Sequence, residues 1–340
     1  MMSRFRHTAH YLLAAALYCS GVLALRCWWR RVVQRRSEVA VLGLHRVLTA
    51  QQAALTGSEP AMFVLLPTFR KLLQVLNKQC HIVSLSDFLG GKIPQGSKPS
   101  CLLTFDDAWL DTFENAYPAL REAGMRAAVF VPTGLLGSNA FCWVERLSLL
   151  WRNCGENQET LCRAIGDALG QAPMAGLAES IAALKRIAAA RRESVVQALA
   201  TRFSNGDQLG DLDRLMSWEQ LVAMSPVFEA ASHSVTHVLL ACEDEAIAKR
   251  ELLESRGTLG KQTGREVRSL AYPSGSFDER VRGWAADAGY EMAFTTRSGG
   301  YCAGDDPLTV PRSLLQEGNL TSPWGSFSPA MFHFRLTGWR

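Results

Sequence analysis

Residues 101–107 of the chain read CLLTFDD, an apolar run that ends in two adjacent carboxylates. A short apolar run of this kind is typical of a strand buried on both faces of a parallel sheet. Parallel β/α folds place their catalytic groups at the carboxyl ends of such strands. A single Asp at this point could instead cap the following helix, but that role needs only one carboxylate. Asp106 and Asp107 therefore form a candidate active site at a strand end.

Similar apolar runs alternate with amphipathic helical patterns along the rest of the chain. The predicted strands cover 39–42, 81–85, 101–105, 127–131, 227–231, 269–272 and 292–295. The predicted helices between them cover 68–77, 111–123, 244–259 and 279–288. This alternation favours an α/β fold built as a (β/α) barrel on a parallel sheet. Residues 145–215 interrupt it with Ala, Leu, Arg and Glu at helical spacing, which predicts a helical insertion within the barrel.

A second polar string follows the apolar run 227–231. Residues 232–237 read SHSVTH, so that His233 and His237 stand four positions apart. Two imidazoles at this spacing can face one metal ion where the backbone is helical or turns into a helix. A lone histidine would more often be a satisfied core residue, but a pair at a strand end favours a ligand site. With one carboxylate the pair makes an Asp-His-His set that leaves positions open for water and substrate.

Together with further segments, these two strings resemble the polysaccharide deacetylases of carbohydrate esterase family 4. The similar segments are LHRV at 44–47, TFDD at 104–107, HSVTH at 233–237, AYPSG at 271–275, and the later elements 293–300 and 310–312. The resemblance implies a distorted (β/α) barrel of the polysaccharide deacetylase type. It also implies a hydrolase that uses one divalent metal to remove an N-acetyl, or other N-acyl, group from an amino sugar.

The resemblance assigns the central roles by motif. It implies Asp107, His233 and His237 as the metal ligands, and Asp106 as the general base. The expected metal is zinc, with cobalt, nickel or manganese as alternatives. Such a metal lowers the pKa of a water to about 7, and the carboxylate that does not bind it can accept the proton.

Four further residues belong to the predicted cleft. The backbone N–H of Ser274, where the family has an aromatic residue, could help to stabilise an oxyanion. Tyr272 and Pro273 are the neighbouring substrate-binding candidates. His45 could line the cleft as a third substrate-binding residue, or it could be an ordinary polar residue at a strand end.

The sequence also departs from the family's pattern. Ala108 and Val238 stand where glycine and proline are usual. The arginine of the third motif is not at its usual place; Arg312 or Arg268 could substitute for it as a catalytic candidate, or both could be plain surface residues. The late Leu-x-His motif, which supplies the general acid in the family, has no clean counterpart, so that His333 is the catalytic candidate there.

The N-terminal segment is apolar and uncharged from Tyr11 to Leu25, with basic residues on both sides. A spanning helix needs about 17 residues or more, and flanking aromatic residues could extend the span. We therefore expect a membrane anchor with a basic collar (1–37), the barrel (38–325) and a C-terminal tail (326–340). Arginines are denser after the apolar run, which places a single-pass anchor in the inner membrane with its catalytic domain in the cytoplasm. A cleaved secretory signal would instead make the domain periplasmic or secreted.

The composition of the chain limits the classes of binding partner that we expect. The net charge is +4, much of the excess lies in N-terminal arginines, and no nucleic-acid-binding motif occurs, so that no nucleic-acid partner is expected. The nine cysteines show no CxxC pair, which argues against a zinc ribbon or a disulfide scaffold. The expected partners are a glycan or lipid-linked saccharide substrate and, through the N-terminal segment, the membrane. Two alternatives are a same-fold hydrolase of a non-sugar amide and a catalytically weak, membrane-anchored glycan-binding protein.

Overall fold

The computed structural model describes residues 4–29, 38–96, 98–138, 143–203 and 211–337. The strands within these ranges are β1 Val39–Leu44, β2 Arg46–Leu48, β3 Phe63–Leu65, β4 His81–Ile82, β5 Ser100–Phe105, β6 Ala127–Val131, β7 Phe228–Ser232, β8 Ser269–Ala271, β9 Met292–Phe294 and β10 Ser313–Leu314. The α-helices are α1 Arg4–Cys19, α2 Val22–Trp28, α3 Ala50–Leu55, α4 Leu66–Gln79, α5 Leu85–Leu89, α6 Tyr117–Ala123, α7 Trp143–Asn153, α8 Gln158–Leu169, α9 Leu177–Leu184, α10 Ala189–Phe203, α11 Trp218–Ala223, α12 Glu245–Thr263, α13 Glu279–Asp287, α14 Glu317–Leu320 and α15 Pro329–Leu336.

Eight strands form one parallel sheet in the order β10-β1-β5-β6-β7-β8-β9, with β4 paired beside β5. The segment after β9 joins the two sides of the curled sheet, because Val310 pairs with Phe294 of β9 while β10 pairs with β1. The strands β2 and β3 form a separate parallel pair. Since the strands are parallel, their carboxyl ends share one rim. The predicted parallel α/β barrel is confirmed.

Side chains alternate between two cores along the strands, as a pleated strand requires. Leu102 of β5 and Phe130 of β6 lie in the core inside the barrel. Leu103 and Val129, the neighbouring residues, pack in the outer core between the sheet and the helices. Because both faces are buried, these strands are continuous apolar runs in the sequence.

The predicted helical insertion corresponds to α7–α10, which enclose a core of their own. Its fully buried members are Leu147, Leu161, Ile165, Leu184 and Val196. Hydrogen bonds at two points attach the insertion to loops of the barrel. Arg152 donates to the carbonyl of Leu55 at 2.9 Å. The backbone N–H of Ala189 donates to Glu243, in the loop that follows β7, at 2.7 Å.

The N-terminal apolar segment forms two helices, because Gly21, in a left-handed conformation with φ of 76°, separates α1 from α2. Ala14 of α1 and Leu23 of α2 are buried against Met331 and Phe334 of α15. None of the helices in the described ranges combines the length and the apolar character needed to cross a bilayer. The predicted transmembrane helix and single-pass inner-membrane anchor are therefore wrong. Residues 30–37 of the predicted basic collar lie outside the described residues.

Short elements account for the other differences from the sequence prediction. The predicted strand 81–85 ends at Ile82, because the side chain of Ser84 accepts a hydrogen bond from the N–H of Asp87 and starts α5. The strands β2, β3 and β10 have only two or three residues, too few for a periodic pattern. The predicted C-terminal tail contains α15, which covers the N-terminal helices.

Candidate active site

Asp106 and Asp107 directly follow β5 at the rim where the strands end. Alternation along β5 directs Asp106 to the inner side, on which Leu102 lies. Asp107 would then face outward, but Asp107 and Ala108 adopt left-handed conformations with φ of 70° and 57°. A non-glycine residue in this region costs on the order of 1–2 kcal/mol, which explains why glycine suits the position of Ala108. The turn directs the carboxylate of Asp107 toward two histidines.

These histidines come from the loop after β7. His233 is buried, and its Nδ1 lies 2.7 Å from the carbonyl oxygen of Ala271 on the neighbouring strand β8. Donation from Nδ1 to that oxygen leaves Nε2 free to face Asp107 as a ligand atom. His237 has a left-handed backbone with φ of 57°, and its N–H donates to the hydroxyl of Ser234 at 3.0 Å. The loop thus folds back so that both imidazoles reach the same carboxylate.

The three predicted metal ligands lie together. Nε2 of His233 and Nε2 of His237 are 3.4 and 3.3 Å from the same oxygen, Oδ1 of Asp107. Each residue offers one donor atom, and these atoms lie within 4.8 Å of one another. One carboxylate oxygen and two imidazole nitrogens suit zinc and related divalent metals, and they leave coordination positions open. The residues present therefore fit a divalent metal.

The charge states of these side chains agree with that fit. Burial opposes ionisation of Asp107, but His237 and His233 outweigh it and hold the pKa of Asp107 well below its usual range. Burial lowers the pKa of His237 to about 4, although the charge of Asp107 opposes the shift. Burial also lowers the pKa of His233, but the hydrogen bond with Asp107 and the charges of both aspartates raise it by more. Metal binding requires an ionised carboxylate and neutral imidazoles, the states that these shifts favour for Asp107 and His237.

Asp106 has a different partner, the fully buried Arg312. Nη1 and Nη2 of Arg312 donate to the two carboxylate oxygens at 2.6 and 2.8 Å, and its Nε donates to the carbonyl of Thr295 at 2.9 Å. Burial would raise the pKa of Asp106, but Arg312, with smaller contributions from His233 and His45, brings that pKa below its usual value. Nε2 of His45 lies 3.7 Å from Oδ2 of Asp106, and the His45 side chain is 19% exposed.

The turn after β8 carries Ser274. Residues Pro273–Gly275 form one 3₁₀ turn in which Ser274 has φ of 53° and Gly275 has φ of 68°. Ala271, which ends β8 just before the turn, contacts His233, so that the turn lies at the same rim as the metal-ligand candidates. The Ser274 side chain is exposed. Its backbone N–H stays a predicted oxyanion donor.

Two predicted substrate-binding residues are buried away from solvent. Tyr272 is fully buried, stacks on Phe277 with centroids 4.8 Å apart, and donates its hydroxyl to the carbonyl of Leu308 at 3.1 Å. Alternation explains this, because Ala271 faces the barrel interior and Tyr272 the outer core. Pro273 is buried as well. Of the three candidates for contact with the sugar, only His45 is in a suitable position, and the roles of Tyr272 and Pro273 are not supported.

His333 and Arg268 are also placed elsewhere. Nε2 of His333 lies 2.5 Å from Oε1 of Gln79, the last residue of α4, which precedes the strand β4. His333 is therefore at the amino-terminal end of the strands, opposite to Asp106, and cannot serve as the predicted general acid. Arg268 precedes β8 at the same end and pairs with Glu291. Of the two predicted arginines, Arg312 is the one that reaches the site.

Sequence reasoning missed two residues that hold the ligands in place. Glu251 of α12 accepts hydrogen bonds from the N–H groups of Val235 and Thr236, between the two histidines, at 2.8 and 2.9 Å. In the sequence, Glu251 is recognisable as a charged residue on the apolar face of an amphipathic helix. A charged residue at such a position is usually buried and paired with a polar partner. Trp109 donates from Nε1 to Oδ2 of Asp107 at 3.1 Å. Its only signal is its place two residues after the aspartate pair.

Comparison with known proteins agrees with this geometry. A family model described as polysaccharide deacetylase matches residues 94–167 and 195–293, together just over half of the chain. No curated protein matches the chain.

Similar solved structures include the Streptococcus pyogenes deacetylase PplD in complex with acetate. It has a TM-score of 0.55 and 18% identity, and the match covers 86% of this chain and 100% of PplD. IcaB from Ammonifex degensii has a TM-score of 0.53 and 18% identity, with 85% and 97% covered. The BpsB deacetylase domain from Bordetella bronchiseptica has a TM-score of 0.51 and 20% identity, with 82% and 96% covered. At such identities the likeness concerns the fold.

Proposed function

The chain belongs to the polysaccharide deacetylase family, whose members are hydrolases of amide bonds, and from this premise we propose that it removes N-acetyl groups from an amino sugar. The proposed substrate class is an envelope polysaccharide or a lipid-linked saccharide. PplD is a deacetylase with acetate in its structure, which supports acetyl as the acyl group. We include in the proposal a dependence on one divalent metal, zinc in the first place.

One observation carries the proposal: the two adjacent aspartates have separate partners. The Oδ1 atom of Asp107 faces two imidazoles, whereas both oxygens of Asp106 face a guanidinium. This division supports Asp107, His233 and His237 as the metal-binding set and Asp106 as a carboxylate kept outside it. A metal held there would supply Lewis acidity, which polarises a carbonyl oxygen and lowers the pKa of a water to about 7.

In the proposed mechanism Asp106 is the general base. Its lowered pKa keeps it ionised at neutral pH, although it also makes the carboxylate a weak base that requires an acidified water. Each carboxylate oxygen has two lone pairs, so that the bonds from Arg312 leave one on each oxygen for a proton. The water oxygen attacks the carbonyl carbon of the acetyl group while Asp106 accepts one proton from the water.

The second half of the reaction breaks the C–N bond. We assign the proton that the leaving amine requires to Asp106, which holds one from the first half, because His333 lies at the opposite end of the strands. The backbone N–H of Ser274 is the proposed donor to the oxyanion. His45, partly exposed beside Asp106, is the proposed contact to the sugar.

The direct test is release of acetate from N-acetylglucosamine oligosaccharides by the metal-free protein and by the protein loaded with Zn²⁺. We expect release only from the loaded protein, and loss of release in Asp106→Asn. Release from a non-sugar N-acetyl amide, with none from any amino-sugar oligosaccharide, would contradict the proposed substrate class.

A further inference from the structure

We propose that Trp109 is a positioning residue for the metal-ligand candidate Asp107, and that it ties the metal site to the segment that leaves the helical insertion. This inference rests on the proposed metal site. Trp109 does not touch the substrate or the donor nitrogens in this scheme. Its task is to fix the orientation of the Asp107 carboxylate, so that one oxygen faces the two histidines while the other faces the indole.

The two oxygens of Asp107 have separate surroundings. Oδ1 is the atom that lies 3.3–3.4 Å from the two Nε2 atoms, and Oδ2 accepts the hydrogen bond from Nε1 of Trp109 at 3.1 Å. The indole is 1% exposed, so that water does not compete for this bond. An indole N–H can only donate, and therefore it favours the ionised carboxylate in this orientation. Hydrogen bonds of this kind orient metal-binding carboxylates in other proteins.

The indole is itself held by Arg46. The guanidinium carbon of Arg46 lies 4.4 Å from the centroid of the Trp109 ring, a cation–π contact inside the protein. Arg46 is fully buried, and two carboxylates fix it: Nε donates to Asp111 at 2.8 Å and Nη1 donates to Asp213 at 2.5 Å. Since Arg46 has partners on both sides, it gives the indole a fixed surface to pack on.

Asp213 belongs to the segment that leads out of the helical insertion, and this segment also pairs with the aspartate loop. The N–H of Leu110 donates to the carbonyl of Arg214 at 2.9 Å, and the N–H of Met216 donates to the carbonyl of Ala108 at 3.0 Å. These bonds make Trp109 and Leu215 an antiparallel bridge pair. The loop of Asp107 therefore forms one unit with the exit segment of the insertion.

The local backbone explains why Asp107 needs this support. Asp107 and Ala108 are consecutive non-glycine residues with positive φ, a conformation that L residues adopt only when their surroundings enforce it. Without the bond from Trp109, the buried Oδ2 atom would lose this donor, and the carboxylate could rotate out of the orientation in which its other oxygen faces the two histidines. We expect the metal affinity to depend on the indole N–H.

The test compares Zn²⁺ affinity, by competition with a chromophoric chelator, in the full chain and in Trp109→Phe. Phenylalanine retains an aromatic ring beneath Arg46 but lacks the N–H. We expect Zn²⁺ to bind about 10–100-fold more weakly, the usual effect of losing a partner of a metal ligand. The matched control is Trp284→Phe. Trp284 is buried on α13 with the guanidinium of Arg280 5.6 Å from its ring, and its replacement should leave the affinity unchanged.

A second measurement follows the indole N–H of Trp109 itself, so that Trp109 is not replaced. In the ¹⁵N-labelled wild-type chain, the Trp109 indole N–H resonance should shift on addition of Zn²⁺, and it should not shift in His233→Ala. Equal Zn²⁺ affinity of Trp109→Phe and wild type, or an indole resonance that does not respond to Zn²⁺ that is bound, would overturn the inference. A wild-type chain that binds no Zn²⁺ would instead refute the proposed metal site itself.

Discussion

The guanidinium of Arg312 and the carboxylate of Asp106 form a two-bonded ion pair, with Nη1 to Oδ1 at 2.6 Å and Nη2 to Oδ2 at 2.8 Å. Both side chains are almost completely buried. Loss of one partner from a buried pair leaves an uncompensated charge, at a cost of about 3–5 kcal/mol. The pair also determines the protonation of Asp106, and the first prediction depends on this effect.

Arg312→Met should move the acidic limb of the pH–rate profile to higher pH. In the native protein the pKa of Asp106 lies below its usual value, so that the base form is lost only as the pH falls through that lowered pKa. Without Arg312, burial raises the pKa, and the base form disappears at a higher pH. An Arg beside an Asp usually accounts for about 1–3 pH units. The measurement is kcat/KM as a function of pH at saturating metal concentration. Arg268→Met is the control, because Arg268 pairs with Glu291 near the protein surface. An unchanged acidic limb would contradict the role given to Asp106.

The metal ligands give the second prediction. Asp107→Ala, His233→Ala and His237→Ala should each lower the bound metal and abolish hydrolysis, because each removes one of three protein ligands from an open site. Metal content after dialysis and acetate release are the two measurements. His333→Ala is the histidine control, and it should retain metal and activity, since His333 pairs with Gln79 away from the site. Full metal occupancy in the His233→Ala, His237→Ala double variant would rule out the assignment.

The third prediction separates the two aspartates. Asp106→Asn should bind metal normally and lose on the order of 10²–10⁴ in kcat, the usual contribution of a general base. It should also unfold at a lower temperature, because asparagine leaves the buried charge of Arg312 without an anionic partner. If Asp106→Asn lost the metal while Asp107→Asn kept it, the two roles would be reversed.

The turn after β8 gives the fourth prediction. Gly275 has φ of 68°, and a Cβ there would lie 2.2 Å from Oγ1 of Thr296. Gly275→Ala should therefore displace the turn and with it the N–H of Ser274, lowering kcat while metal content stays normal. Gly283→Ala is the control: it lies in α13, nothing approaches within 4 Å of its Cβ position, and alanine favours a helix. Full activity of Gly275→Ala would argue against an oxyanion donor in this turn.

The N-terminal helices give the fifth prediction. Ala14 is fully buried against α15, so that Ala14→Asp places a carboxylate in an apolar contact and should lower the free energy of unfolding by about 1–3 kcal/mol. Leu12→Asp is the control. Because the Leu12 side chain is 58% exposed, this substitution should change the free energy of unfolding by less than about 0.5 kcal/mol. Thermal unfolding measures both. Equal stabilities would mean that α1 does not pack on α15 in solution.

Local signals were sufficient to predict the parallel strands of the barrel and to bring the candidate site residues to one rim. The run 101–105 is apolar because both faces of β5 are buried, and Asp106 and Asp107 follow where the strand ends. In the same way, His233 follows the predicted strand that corresponds to β7. Parallel strands end at one rim, so that residues far apart in sequence could be expected to meet there without any knowledge of distances. The prediction failed for Tyr272, because the direction of a side chain after a three-residue strand depends on a register that the sequence does not display.

The sequence by itself determined the order of strands and helices, the helical insertion and the aspartate and histidine strings, because these depend on periodicity and on neighbours in the chain. Only the tertiary structure decided which groups other than these strand-end residues reach the site. Arg312 reaches Asp106 because the segment before β10 closes the barrel beside β1 and β5, which brings together residues 206 positions apart. It also decided that one face of the apolar segment 11–25, with Ala14 and Leu23, packs on α15, a contact that hydropathy alone does not predict. The physical reason is that burial of an apolar face is not directional, so that its partner can lie at the other end of the chain, where no local pattern indicates it.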